Sequence, residues 1–288
     1  MNCFKTRYIL FSLVASTFLF SCNQPDFQYE IKIKYVCLDS LSKVIPVTDT
    51  LVVPILYDTL LIDSHWSVDE KKQQFINQVL PAILIVQFNE QLKYEKITSI
   101  LDKLKNNKQL SEREQYYIDS LVIKYDVDSC QNLPERVKLH PVSLVLAQAA
   151  LESGWGQSRF AVEGNNLFGI TSPTKRNSLS VKGKRRSYMQ KYESVEESVK
   201  HYYFTIGNNE VYHNFRKKRA EGANVYQLID ELDNYSIKGE RYTDMLKDIL
   251  FINDLEKYDK YVIDNKYITD KTTFKYLIKK YIQRFLTK

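Results

Sequence analysis

The stretch VSLVLAQAALES, residues 142–153, constrains the fold most. Apart from Ser143 and Gln148, its first ten residues are small or apolar at every position of the helical period. A helix that is apolar all round is buried on most sides, so the rest of the chain must wrap it. Pro141 suits the first turn of such a helix. Gly154 suits the left-handed residue that ends it. With 288 residues and 44% hydrophobic content, the chain can supply a core of that size.

One acid breaks the pattern. Glu152 falls in the last helical turn, just before Gly154, Trp155 and Gly156. The partial negative charge of a helix C-terminus disfavours an anion there, and desolvation beside Trp155 acts in the same direction. Both raise the carboxyl pKa, which is what a general acid needs to hold its proton near neutral pH. Cleavage of a glycosidic bond requires such an acid for the leaving oxygen. On pattern alone, an exposed glutamate on a frayed helix end stands beside this reading. Gly154, Trp155 and Gly156 likewise read either as a cap with a packing aromatic or as the wall of a sugar-binding cleft.

The N-terminus carries a different signal. Lys5 and Arg7 precede a charge-free apolar run over residues 8–20, followed by LFSC at residues 19–22. The run is short for a membrane span and suits a signal peptide. The small residue before Cys22 resembles a bacterial lipobox. Residues 1–21 are therefore expected to be a lipoprotein signal peptide, with Cys22 lipidated and the protein tethered to a membrane of the cell envelope. Asn23 is compatible with outer-membrane sorting. Cys37 and Cys130 would remain, and the spacing leaves open whether they pair.

The organisation follows from periodicity. Residues 22–68 read as a tether with short strands, from the alternation in YEIKIKYVCLD (29–39) and around Pro54 (49–63). Residues 69–132 read as a helical arm. Ser67 with Glu70, and Ser111 with Glu114, are capping boxes, and Pro81 is expected to kink or split the first helix. The informative block spans 133–259. A basic segment, residues 172–192, reads as a loop or irregular hairpin, and helical patterning resumes at Ser194. Residues 260–288 read as a helical tail, with a last helix over 272–285.

The words LAQAALESGWGQSRFAVEGNNLFGI (146–170) and NYSIKGERYTDMLKDILFINDLEKYD (234–259) closely resemble the glucosaminidase domain of bacterial peptidoglycan hydrolases. That is glycoside hydrolase family seventy-three, described as mannosyl-glycoprotein endo-β-N-acetylglucosaminidase-like, and the match is best to its Bax-like branch. The resemblance spans roughly residues 69–259. It implies a mainly α, lysozyme-like glucosaminidase fold and hydrolysis of the β-1,4 bond after N-acetylglucosamine in peptidoglycan glycan strands, without a cofactor. By the same resemblance Glu152 is the general acid. Tyr235 is the tyrosine best placed for a hydrogen bond at the catalytic site, and Tyr242 lies near the cleft. Trp155, Asn165, Asn166 and Phe168 are candidate sugar or wall contacts. Asn165 and Asn166 equally suit a tight turn, and Phe168 equally suits a core.

The sequence departs from the usual glycosidase pattern in one respect. No Asp or Glu lies between Glu163 and Glu193, where some relatives carry a second carboxylate on a hairpin. Basic residues stand there instead: Lys175, Arg176, Lys182, Lys184, Arg185 and Arg186. A single-acid site is expected, completed by the substrate's own 2-acetamido group or by a water held by Tyr235. A lytic transglycosylase and a wall-binding lipoprotein with little turnover are the alternatives. His65, His140, His201 and His213 show no metal-ligand spacing. No nucleophile elbow or phosphate-cradling glycine loop is present, and an exported protein has no call for nucleic acid. Oligomeric state is not legible.

Overall fold

The computed structural model describes residues 29–270 apart from 184 and 185. The expected signal peptide, Cys22, the helix over 272–285, Lys184 and Arg185 lie outside the described residues.

The architecture is mainly α-helical. After strands β1 (Tyr29–Ile31), β2 (Lys34–Val36), β3 (Leu51–Val52) and β4 (Ile55–Tyr57), a long helix α1 runs over Val68–Lys105. It leads to α2 (Glu112–Tyr125), the short α3 (Leu133–Val137) and the apolar helix α4 (Val142–Ser153). Both expected capping boxes are present, with Ser67 and Ser111 each exchanging hydrogen bonds with the glutamate three residues on. Of the kink or split expected at Pro81, the split does not occur, and α1 is continuous across it. A proline inside a helix costs about 3 kcal/mol. Here Phe75, Val79, Leu80, Ile83, Leu84 and Val86 are all buried around it in the main core. Each such side chain contributes roughly 1.5–3 kcal/mol on full burial, so packing overrides the local penalty.

That core joins α1 to α4 directly, and Leu144, Val145, Leu146, Ala147 and Ala149 belong to the same buried cluster as Ile83 and Leu84. The helix expected as an arm therefore passes through the interior. Only its second half diverges. There Ile97 and Ile100 form a separate cluster with Ile118, Leu121 and Tyr125 of α2 and with Leu133 and Val137 around α3.

Beyond α4 come α5 (Arg159–Gly164) and an antiparallel sheet in the order β5 (Thr171–Ser172), β7 (Tyr188–Gln190), β6 (Ser178–Ser180). This is the hairpin expected of the basic segment. Helices α6 (Val195–Asn208), α7 (His213–Glu221), α8 (Val225–Ile229) and α9 (Glu240–Ile252) follow, with Ser194 capping α6 through its side chain. Residues expected to begin a helical tail instead form two strands, β8 (Val262–Ile263) and β9 (Ile268–Asp270). They pair with the N-terminal segment: β1 runs antiparallel to β9 and β3 parallel to β8, while β2 pairs with β4. The β1–β9 and β3–β8 partners lie more than 200 residues apart in sequence, so local periodicity gave no sign of them. Cys37 and Cys130 are both free thiols.

Candidate active site

Helix α4 delivers Glu152. The helix has no side-chain cap of its own at its start, because Pro141 occupies that position. The carboxylate of Asp259 replaces it, accepting from the Ser143 backbone N–H and from Ser143 Oγ, both at 2.8 Å. At the other end Gly154 adopts φ 58°, and the Trp155 N–H returns to the Ala150 carbonyl at 2.8 Å. Trp155 and Gly156 continue the left-handed path at φ 56° and 77°. A tryptophan in this region is strained, and it persists only where surroundings fix it. Three side chains do so. A Cβ on Gly156 would stand 3.0 Å from Phe75 Cδ2, 3.3 Å from Leu60 Cδ1 and 3.5 Å from Ile62 Cγ1. The Trp155 ring packs edge-on to Phe75, with Lys72 Nζ 5.4 Å from its centroid. The chain before α1 and the start of α1 thus form the floor of the turn that follows the acid.

Glu152 is half-buried. Burial raises its carboxyl pKa, opposed by a hydrogen bond from Tyr242 and by the charge of Lys238. Its other close neighbour is backbone. Gly169, at φ +65°, is so near that a Cβ there would lie 3.2 Å from Glu152 Oε2. Tyr242 is itself buried, stacked on Tyr235 with centroids 5.5 Å apart, and accepts from Gln148 Nε2 at 3.1 Å. Tyr212 is held up at about 12 by burial, with the Glu152 charge a secondary cause. The site is an acid in a ring of tyrosines, approached by one lysine. Such a group can give and take a proton. Among the described residues no cluster of three or more His, Cys, Asp or Glu is arranged to hold a metal.

A family model described as mannosyl-glycoprotein endo-beta-N-acetylglucosaminidase matches residues 127–283, more than half of the chain. The chain belongs to this glucosaminidase family. It is 39% identical to Protein bax of Escherichia coli (strain K12) over 120 residues, covering 40% of this chain and 43% of that protein. It is 30% identical to Exo-glucosaminidase LytG of Bacillus subtilis (strain 168) over 165 residues, 52% of this chain and 55% of that one. The chain spans about half the length of the curated relatives it matches. Among solved structures, the catalytic domain of the autolysin Auto from Listeria monocytogenes aligns over 55% of this chain and 93% of its own, at 21% identity and TM-score 0.36. The glycoside hydrolase domain of FlgJ from Salmonella typhimurium aligns over 49% and 90%, at 22% identity and TM-score 0.34. The expected fold class, mainly α and lysozyme-like, is that of the glucosaminidase family.

Within this glucosaminidase domain the expected site residues separate. Glu152, Trp155, Tyr235 and Tyr242 come together around the end of α4. Trp155 keeps a partly exposed ring and can still wall a cleft. The Tyr235 hydroxyl donates to the Phe168 carbonyl at 2.8 Å, which leaves its oxygen free only to accept. The hydroxyl that meets Glu152 belongs to Tyr242. Tyr242 is only 1% exposed, which leaves its ring little surface for a sugar.

For Asn165, Asn166 and Phe168 the structure displays the turn and core packing that stood beside sugar contact in the expectation. Asn166 is buried with its amide fully engaged: Nδ2 donates to the carbonyls of Ile170 and Gln190, and its oxygen accepts from the Ile170 N–H. It staples the hairpin to the loop that carries Gly169. Asn165 ends α5 at φ 51° and donates to the carbonyls of Asp58 and Tyr192. Phe168 is buried and stacked on Tyr202 at 4.2 Å. All three make contacts within the protein beside the acid. Sequence patterns missed Gly169, Gln148 and Asp259. The glycine in NNLFG was a visible signal for the first, and a polar residue inside an apolar helix for the second.

Proposed function

We propose that this protein is a peptidoglycan hydrolase that cleaves the β-1,4 bond after N-acetylglucosamine in glycan strands, with Glu152 as general acid. The observation that carries the reading is the placement of Glu152: half-buried at a helix C-terminus, with a raised pKa and a glycine backbone against one oxygen. The acid donates its proton to the glycosidic oxygen as the C1–O bond breaks. With no carboxylate in the hairpin, the 2-acetamido oxygen of the same sugar attacks C1 to give a cyclic oxazolinium ion. Water then opens that ion at C1 and returns a proton to Glu152. Peptidoglycan digestion with product analysis by mass spectrometry tests this. Wild type should release fragments with reducing N-acetylglucosamine ends and Glu152→Gln none, while retained activity in the variant would overturn the assignment.

The missing second carboxylate specifically favours one alternative, a lytic transglycosylase in which the sugar's own hydroxyl attacks. Anhydro-muramic ends in the same spectra would establish it. Binding to wall material with no released fragment would instead mean a binding protein. We further propose that the protein acts at the cell envelope, anchored through a lipid on Cys22 and facing the periplasm or surface. A Cys22→Ala variant should leave the membrane fraction, and its retention there would refute the anchor.

A further inference from the structure

Behind Glu152 a line of polar side chains crosses the core. Arg219 Nη1, on α7, lies 3.3 Å from His140 Nδ1. His140 Nε2, just before α4, lies 3.1 Å from the Tyr202 hydroxyl on α6. The Tyr202 hydroxyl donates to Gln148 Oε1 at 2.5 Å, and Gln148 Nε2 donates to the Tyr242 hydroxyl at 3.1 Å. The Tyr242 hydroxyl faces the Glu152 carboxyl. All five residues behind the acid are 4% exposed or less. Such a run is unnecessary for packing, since buried polar groups are tolerated only when each one is satisfied.

The direction of every bond follows from its first member. A guanidinium only donates, so His140 Nδ1 must accept and its proton must sit on Nε2. Burial and the Arg219 charge hold the imidazole neutral, with its pKa well below the ordinary value. Nε2–H then donates to Tyr202, which sends its own proton to Gln148 Oε1. That fixes the amide, so its N–H₂ faces Tyr242. Tyr242 is left with a single outlet for its proton, which is Glu152. The protonated acid therefore accepts from Tyr242 through one oxygen and carries its proton on the other.

We propose that Arg219, His140, Tyr202 and Gln148 form a one-way hydrogen-bond relay of positioning residues that holds Tyr242 as a donor to Glu152 and keeps the acid's own proton free for transfer. The proposal rests on the reading of Glu152 as the general acid. Were the Gln148 amide reversed, Tyr242 would donate to Gln148 and accept from Glu152, and the acid's proton would be engaged within the protein. Every side-chain polar atom of the relay except Arg219 Nε has a partner, and relays of this kind rigidify as they are satisfied.

The test is a carbon-13 NMR titration of glutamate side-chain carboxyls in the full chain, with the Glu152 signal assigned by its loss in Glu152→Gln. Tyr202→Phe leaves Gln148 Oε1 open to the Tyr242 proton, so Glu152 loses a donor to its charged form. Its midpoint should rise by about one pH unit. Gln148→Met offers Tyr242 no rival acceptor and should leave the midpoint near that of wild type. Tyr202→Phe combined with Gln148→Met should also stay there. His140→Phe lets Tyr202 accept from Gln148, moves the midpoint the same way by less, and stands in if Tyr202→Phe does not fold. The other groups that face Glu152, namely Lys238, Tyr212 and Tyr235, are unchanged in all these variants. An unmoved midpoint in Tyr202→Phe, or a rise that persists in the double variant, overturns the relay. The titration needs no turnover. A wild type that releases nothing from peptidoglycan would therefore refute the assigned reaction separately from the relay.

Discussion

The two ends of α4 each carry a carboxylate out of bulk water, and they behave differently. Asp259 sits at the N-terminus, where the helix favours an anion, and its oxygens are engaged by Ser143 N–H and Oγ. Glu152 sits at the C-terminus, where the helix disfavours one. Burial raises both, that of Asp259 to about 6. Titration alone would thus nominate either residue as an acid. What separates them is occupancy: Asp259 is closed by donors from the helix it caps, whereas Glu152 meets one phenol and a bare glycine. A raised pKa marks burial, and an unsaturated oxygen beside open backbone marks a site.

Four experiments bear on that contrast. Glu152→Gln should lower peptidoglycan cleavage by roughly 10²–10⁴-fold, the range general acid catalysis supplies, without lowering thermal stability. A matching loss of stability would make Glu152 structural, like Asp259. Asp259→Ala should do the opposite. It removes a cap and orphans the Ser143 donors, so denaturant unfolding should show a loss of about 2 kcal/mol, while the activity of the folded fraction persists.

Gly169→Ala and Gly154→Ala form the next pair. Both residues have positive φ, and each alanine should cost about 1 kcal/mol in backbone strain. Only the Gly169 Cβ crowds Glu152, because nothing lies within 4 Å of the one on Gly154. Assays on both variants should therefore show about tenfold lower activity for Gly169→Ala alone. The last effect is in pH. The folded-state pKa of Asp259 is raised from 3.8 to about 6. Its contribution to stability is thus complete below the lower value and is lost as pH rises through the upper one. Asp259→Asn should flatten the pH dependence of stability across that window, as read from urea midpoints.

What could be read from sequence were features encoded within a few residues. Gly154 ending α4, the boxes at Ser67 and Ser111, and the cap at Ser194 each need only a short window. Glu152 stood out because it violates a local preference. What could not be read concerns partners distant in the chain. Tyr235 and Tyr242 are equivalent as letters, and only the packing of α9 against α4 decides which phenol reaches the acid. Asn166 and Phe168 sit in a word rich in turn residues, yet the hairpin and Tyr202 cover them. Pro81 reads as a breaker until the core on every side of it is counted.

The crowding at Gly156 bears on modularity. Leu60, Ile62 and Phe75, which fill the space a side chain there would need, all precede residue 127, where the family match begins. The glucosaminidase stretch is therefore no cassette that can be excised or shuffled between proteins at that boundary. Cut there, it would lose both the helix through its middle and the support beneath Trp155. In this protein the residues ahead of the family match hold the turn that carries Trp155.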